Sequence, residues 1–567
     1  MSVTDTRATT ERELDQAVEE LKVGAERWAQ LPVADRGALF RQVQASIAEV
    51  ADEWATTAAQ AKHVDPAAPY AGEEWMTGPY GALESAGAYA RSYAALARGR
   101  STLDGLRVGR APGGRVSVRV LPRTVQEWVL FNGIRAEVWM PPGVSERQVR
   151  SDAGLGADRV GEYGGVGLVL GAGNISSIAP LDAFYELVAH NRASIVKLNP
   201  TFAGLLDVYR RALAPLIDVG VVRVVTGDSA VGAYLTGHPG IDKVHITGSA
   251  ATHDAIVWGT GEEAERRRAD DAPRLKVPIT SELGGVAPMI VVPGRWTAAD
   301  LRYQAEHLVS MRLHNAGHNC VAGQMVVLSA DWPQKDDFLA ELRAALARMP
   351  AREPWYPGTA DKVARANATH PDAEHLAGRI LTEVAPGDPA CSDEYFAPVL
   401  AWTQLPGTGA EFLGTAVGFA NDSLYGTLGA NVLVRPRDRR AMGAAFDHAI
   451  ADLRYGNIAI NAWTGLSFLL AGATWGAFPG HTVADVGSGI DVVHNGHLLS
   501  GPERSVVTGA FRPFPRSVLY GEPSLFPKPP WFSGSRSVTD TGRALTRYAA
   551  APSWRRLVPV LLAAFRA

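Results

Sequence analysis

Cysteine is nearly missing from this chain: there are two in 567 residues. A secreted protein held by disulfides needs thiols in number and in pairs, so that class is excluded and both thiols stay free for chemistry. Charge of one sign is missing as well. A net charge of -4 supplies no field for a polyanion, which sets nucleic acid aside as a main partner. No apolar run approaches the roughly 20 residues that cross a bilayer. The start, Met1-Ser2-Val3-Thr4-Asp5-Thr6, leads into an acidic helical stretch without an apolar signal core. A cytoplasmic protein without a metal site is therefore expected. What remains is an ordinary globular composition, 46% hydrophobic and 20% charged, in a chain long enough for two or three domains.

One of the two cysteines lies in Leu313-His314-Asn315-Ala316-Gly317-His318-Asn319-Cys320-Val321-Ala322-Gly323-Gln324, between a helical run and the apolar run Met325-Val326-Val327-Leu328. Small neighbours on a Gly-flanked connection let a substrate approach the sulfur, a strong nucleophile once ionised. Most free cysteines are small buried hydrophobes, and this one alone reads that way too. About forty residues upstream, Thr280-Ser281-Glu282-Leu283-Gly284-Gly285-Val286-Ala287-Pro288 sets a carboxylate directly before a Gly-Gly turn. Glu282 is a candidate general base if the fold brings it to the thiol. Glu-Leu-Gly-Gly followed by Asn-Ala-Gly-x-x-Cys resembles the aldehyde dehydrogenase superfamily, and the resemblance runs from about Gly164 to about Asn495.

In chain order, Thr10 to Ala97 reads as helices, with Leu14…Ala17-Val18…Leu21 and Leu39-Phe40…Val43…Ile47…Val50 at helical spacing. Asp35 is a candidate cap for the second. From Gly114 to Met140 the pattern alternates, and Asn132-Gly133 between Trp128–Phe131 and Ile134–Trp139 signals a hairpin. Such a ribbon can pair with another subunit or pack on its own domain. From Gly165 to Trp258 apolar strands (Val166–Leu170, Ser194–Leu198, Val221–Val225, Lys243–Ile246) alternate with helices over about Ser177–His190 and Ala203–Ile217. That order implies a parallel sheet covered on both faces, with ligands beyond the strands' carboxyl ends. Gly171-Ala172-Gly173 begins like a dinucleotide fingerprint, but Ser176 holds the third glycine position and Lys197 stands where an acidic residue belongs.

The resemblance implies an α/β aldehyde-dehydrogenase-like fold: a Rossmann-type parallel-sheet cofactor domain, an α/β catalytic domain and a β-ribbon for oligomerisation. The implied division is 1–113 with 146–280 for the dinucleotide, 114–145 with 488–510 for the ribbon, 281–487 for the thiol domain and 511–567 as an extension beyond the family pattern. It implies NAD or NADP held by Lys197, Gly227, Thr247, Gly248, Ser249, Leu283, Glu394 and Phe396, and catalysis by Cys320, Glu282 and Asn174. Pro200 replaces a glutamate of many NAD-preferring members, leaving both cofactors open, and His253 replaces a glycine near the pyrophosphate grip. Ala397 replaces the glycine of the family's Glu-x-Phe-Gly-Pro-Val segment. By themselves Lys197 reads as a strand-end lysine, Glu394 as a solvated side chain and Asn174 as a helix N-cap.

The implied reaction is oxidation of an aldehyde to a carboxylic acid through a Cys320 thiohemiacetal and thioester, hydrolysed by water that Glu282 activates. A homodimer or homotetramer is the implied assembly. The rivals are a coenzyme A-acylating relative, a catalytically silent scaffold of the same shape, and a Cys-His hydrolase using His314 or His318. Trp463…Phe468…Trp475…Phe478 either lines an apolar pocket or is plain core. The basic, apolar end Trp554–Phe565 allows contact with a membrane surface, but so short a run reads better as a helix docked on the body or a neighbour.

Overall fold

The computed structural model describes residues 7–567. Two helices, Glu11–Gln30 and Val33–Ala61, open the chain. The first is closed by a capping box in which Thr10 and Glu13 bond each other's backbone N–H. The second starts on Pro32 without a side-chain cap, so Asp35 sits in its first turn rather than capping it. Their apolar faces, with Leu14, Val18, Phe40, Val43 and Ile47, are buried.

The strands follow: β1 (Val108–Ala111), β2 (Arg115–Leu121) and β3 (Arg135–Trp139). No hairpin links β2 and β3 through Trp128–Phe131. That stretch is the helix Val125–Leu130, because Thr124 accepts a hydrogen bond from the Glu127 N–H and Glu127 pairs with Arg123. A Thr-x-x-Glu cap overrode the alternation.

The next five strands, β4 (Val166–Leu170), β5 (Ala193–Lys197), β6 (Val222–Val225), β7 (Lys243–Gly248) and β8 (Ile279–Leu283), are parallel and run in the order β8-β7-β4-β5-β6. Helix Ile178–His190 follows β4. The helix expected over Ala203–Ile217 is broken into a 3-10 turn Pro200–Leu205 and helices Leu206–Ala212 and Ala214–Asp218. Pro215 accounts for the last break, since it cannot donate inside a helix.

Gly284-Gly285 carries the chain from this sheet into a second one. Its core is β9 (Ala287–Val291), β10 (Gly323–Ser329), β11 (Glu374–Leu376), β12 (Arg379–Glu383), β13 (Val399–Leu405), β14 (Gly429–Leu433) and β15 (Asn457–Ile460). Thereafter β16 (Thr474–Gly476) pairs with β18 (Val492–Asn495), and β17 (Gly489–Ile490) crosses back to pair with β8. The last strand, β19 (Arg504–Thr508), lies between β15 and β3, so β1, β2 and β3 extend the second sheet to eleven strands. The expected ribbon thus folds onto the chain's own sheet instead of projecting. Of residues 488–510 only β19 joins it, and β1 stands at the sheet's end.

The tail closes over the body with helices Val538–Ala550 and Trp554–Ala564. The second docks through Leu557, Val560 and Ala563, while Trp554, Val558, Leu562 and Phe565 face solvent. Among the described residues no helix is long and apolar enough to cross a membrane.

Candidate active site

A parallel sheet offers its ligand a crevice where neighbouring strands send their connections to opposite sides, which here is between β4 and β7. The ends of β4, β5 and β7 open there into a cleft of about 600 Å³, within the range of small-molecule sites. Asn174, Lys197, Thr247, Gly248, Ser249, Glu282, Cys320, Glu394 and Phe396 all line it. Gly227 and Leu283 do not: Gly227 turns the chain beyond β6, and Leu283 is buried in β8 beside Gly248.

Each element positions its residue for a physical reason. Glu282 is the next-to-last residue of β8, where the strand gives way to Gly284-Gly285. A Cβ on Gly284 would lie 2.1 Å from Glu394 Oε1, and one on Gly285 2.9 Å from the Tyr425 carbonyl oxygen. The crossing between sheets therefore needs the missing side chains. Cys320 sits in a turn closed by the Ala322 N–H donating to the Asn319 carbonyl, ahead of β10, and solvent reaches it in part. Asn315 and Ala316 adopt left-handed backbone (φ 54° each), an arrangement Asn tolerates and Ala does not favour.

What holds that turn is buried charge. Lys62 Nζ pairs with Glu74 Oε1 at 2.8 Å and donates to Asn315 Oδ1 at 3.1 Å. Glu73 accepts from the Asn315 N–H at 2.9 Å, and Arg352 donates to both Glu73 oxygens at 2.8 Å. Asn315 Nδ2 in turn donates to the carbonyls of Asn174 and His318. Asn174 does not cap the helix that starts at Ile178; its Nδ2 donates to the His318 carbonyl at 3.0 Å, which sets its amide against the thiol turn.

Burial pushes the Glu282 carboxyl up to about 8, with the Cys320 thiol pulling the other way. Burial also drives the Cys320 thiol well above its ordinary value, and the Glu282 charge adds to this. Burial thus holds both groups toward their protonated forms, and the contact between them favours charge on the carboxyl over charge on the sulfur. Burial lifts Glu394 to about 7, against Lys362 and Arg312, and its Oε1 is buried without a partner. Burial lowers Lys197, with Asp228 opposing. The two histidines of the turn are poor bases: burial brings His314 down to about 4 and His318 to about 3. His318 Nε2 faces Thr359 Oγ1 and His314 Nδ1 faces the Asn319 amide, so neither is aimed at the thiol.

Ser249 caps the helix Ala250–Val257, whose N-terminus opens on the cleft, a position that favours anions. His253, where a glycine is expected, is buried and outside the lining. Sequence reading missed Tyr356 and Lys362, which line the cleft beside Phe396. It also missed Asp182, which accepts from the Thr247 hydroxyl at 2.9 Å. None stands in a motif, and only the fold brings them to the site.

A second, narrower cavity of about 70 Å³ meets Cys320 and Asn319, and Trp463, Phe468 and Trp475 line it. Phe478 does not; Arg504 lies over its ring.

The sequence model described as the aldehyde dehydrogenase family matches residues 203–361. Among solved structures, the NAD-dependent aldehyde dehydrogenase from Sinorhizobium meliloti is 19% identical with a TM-score of 0.57, over 90% of this chain and 89% of that one. The aldehyde dehydrogenase from Brucella melitensis biovar abortus 2308 is 17% identical with a TM-score of 0.55, over 88% and 90%. The NADP-dependent glyceraldehyde-3-phosphate dehydrogenase from Bacillus halodurans C-125, complexed with NADP, is 18% identical with a TM-score of 0.54, over 88% and 92%. At these identities the likeness is one of fold.

Proposed function

We propose that the chain is a member of the aldehyde dehydrogenase superfamily, whose model matches residues 203–361 and whose fold it shares, and that it oxidises an aldehyde to a carboxylic acid with NAD or NADP. The observation that carries the proposal is the single cleft lined by a thiol, a carboxylate, an amide and the strand ends of a parallel sheet. The residues fit a dinucleotide. Lys197 and the unpartnered Glu394 Oε1 would meet the ribose hydroxyls, and the helix start at Ser249 the pyrophosphate. Pro200 opens a 3-10 turn and carries no charge to repel a 2′-phosphate, so either cofactor is admitted.

Cys320 gives up its proton to Glu282, and the sulfur bonds to the carbonyl carbon. The oxygen becomes an oxyanion, for which the Asn174 amide and the Cys320 backbone N–H would serve as donors. A nicotinamide held in this cleft would supply the hydride acceptor, and loss of hydride from the carbon on Cys320 would leave the acyl group on the sulfur as a thioester. Glu282 releases that proton to solvent and then takes one from water; the hydroxide oxygen bonds to the acyl carbon, the C–S bond breaks, and the proton on Glu282 passes to the departing sulfur. The acid leaves and the thiol is restored. Assembly as a homodimer or homotetramer belongs to the same proposal.

The test is an aldehyde panel with NAD and NADP in parallel, following the absorbance of the reduced cofactor. Reduction without coenzyme A supports the proposal. Reduction only when coenzyme A is added reassigns the release step to acyl transfer, and no reduction with any aldehyde, joined to no cofactor binding, makes the chain a silent scaffold. Replacing Asn174 by Ala is expected to lower kcat by about 10²–10³ with KM little changed, since the donor acts only on developing charge. An unchanged kcat in steady-state kinetics would return Asn174 to a structural role.

A further inference from the structure

The narrow cavity beside Cys320 is walled in part by residues from outside the two-sheet body. Pro530 and Trp531 come from the segment following β19, and Leu545 from the helix Val538–Ala550. No lysine, arginine, aspartate or glutamate lines it. Of the polar atoms in its wall, Trp475 Nε1 is buried without a partner, while three others are bonded within the protein. The Thr77 hydroxyl donates to the Glu73 carbonyl, Trp463 Nε1 to the Val321 carbonyl at 3.1 Å, and Trp531 Nε1 to His307 Nε2 at 3.2 Å. His314, the one titratable ring in the wall besides Tyr80, is neutral at pH 7.

The outer wall is fastened down. Arg512 reaches Asp300 and Glu522, Arg516 donates to Asp300 Oδ1 at 2.7 Å, and Lys528 pairs with Glu306. Phe532 stacks on His307 with ring centroids 4.9 Å apart and on Tyr303 at 5.0 Å. Asp300, Tyr303, Glu306 and His307 all belong to the helix Ala298–Leu313, which runs directly into the thiol turn. The extension is thus strapped along the helix that leads to Cys320, and Trp531 is 6% exposed.

We propose that the 511–567 extension builds the wall of an apolar aldehyde pocket, with Trp531 and Leu545 setting how long an uncharged alkyl chain can reach Cys320. This rests on the aldehyde-oxidising reading and names its substrate class. A narrow, apolar slot admits a slender hydrocarbon chain, whereas a carboxylate-bearing semialdehyde would have to bury its charge unpaired. Straight-chain aldehydes are therefore favoured over succinic semialdehyde by about 100-fold or more in kcat/KM. Removing a wall residue opens room for further methylenes, each of which changes discrimination by about tenfold or more in a tight hydrophobic pocket.

The experiment compares wild type, Trp531→Ala and Leu545→Ala on butanal, decanal and succinic semialdehyde. A second arm, which needs no cofactor, follows the rate of Cys320 alkylation by iodoacetamides carrying alkyl groups of increasing length. The expected result is a rise of about tenfold or more in the preference for the longer aldehyde and the longer reagent in at least one variant that keeps the wild-type melting temperature. An unchanged length profile in both folded variants, or efficient turnover of the semialdehyde by wild type, overturns the proposal. A length effect on alkylation without turnover of any aldehyde keeps the pocket and removes the oxidation.

Discussion

Replacing Glu282 by Gln is expected to give a burst of reduced cofactor equal to the enzyme present, and then almost nothing. The amide has nearly the carboxylate's shape but cannot take a proton from water, so acyl groups accumulate on Cys320. General-base assistance is worth about 10²–10⁴, and the steady-state rate should fall by that factor, while the burst keeps its amplitude but slows because the Cys320 proton must leave to solvent instead of to Glu282. The sign of the pH dependence follows from the raised carboxyl, which titrates at about 8. Below that value Glu282 holds a proton and cannot act, so wild-type kcat should climb as pH rises through about 8 and then level off. The variant should lose this limb. Burial leaves the thiol mostly protonated at neutral pH, so the burst itself should also quicken with alkali in both proteins. Cys320→Ser should show neither burst nor turnover, because a serine hydroxyl lacks the sulfur's nucleophilicity. Rapid-mixing absorbance separates the two phases. A Glu282→Gln protein that turns over at the wild-type rate ends the base assignment.

The thiol turn, the Glu-Leu-Gly-Gly crossing and the five parallel strands were legible because each is a local matter: composition, apolar runs and glycines where no side chain fits. Asn174, Lys197 and Glu394 came only through the resemblance, and the cleft does unite them. Within the expected ribbon, the stretch Trp128–Phe131 is helical rather than a hairpin strand. Alternation around Asn132-Gly133 lost to the cap at Thr124, a contest of short-range signals that the residues themselves contained. The ribbon's pairing with β19, and so with the chain's own sheet, is a contact between segments several hundred residues apart, and no local pattern encodes it. The buried charges are harder still. Lys62, Glu73 and Glu74 look like the solvated face of a helix, and Arg352 like a loop cation. Only the packing of the first helices against the thiol turn removes them from water.

That packing makes Lys62→Met a strongly destabilising change. Burial depresses Lys62, with Glu74 opposing, and burial raises Glu74, with Lys62 offsetting part of the penalty. Removing the ammonium strands a carboxylate whose side chain is 1% exposed. Breaking a buried pair from one side costs about 3–5 kcal/mol, several times a surface ion pair. Glu74 can escape the penalty only by binding a proton. Its folded-state value then lies above the unfolded one, so the folded variant binds more protons and its stability falls as pH rises. The loss in urea midpoint should accordingly be larger at about pH 8 than at about pH 5. Glu73 behaves differently: burial pushes it up, but Arg352 and His314 outweigh that and hold it low, so it stays charged in the variant. The double change Lys62→Met with Glu74→Leu should recover most of the loss, since replacing both partners by apolar groups leaves no orphan. It should not recover catalysis fully, because Asn315 still lacks the Lys62 hydrogen bond that steadies the left-handed turn ahead of Cys320. A single variant within about 1 kcal/mol of wild type at both pH values would mean that water reaches Glu74 and that the turn is held by other contacts.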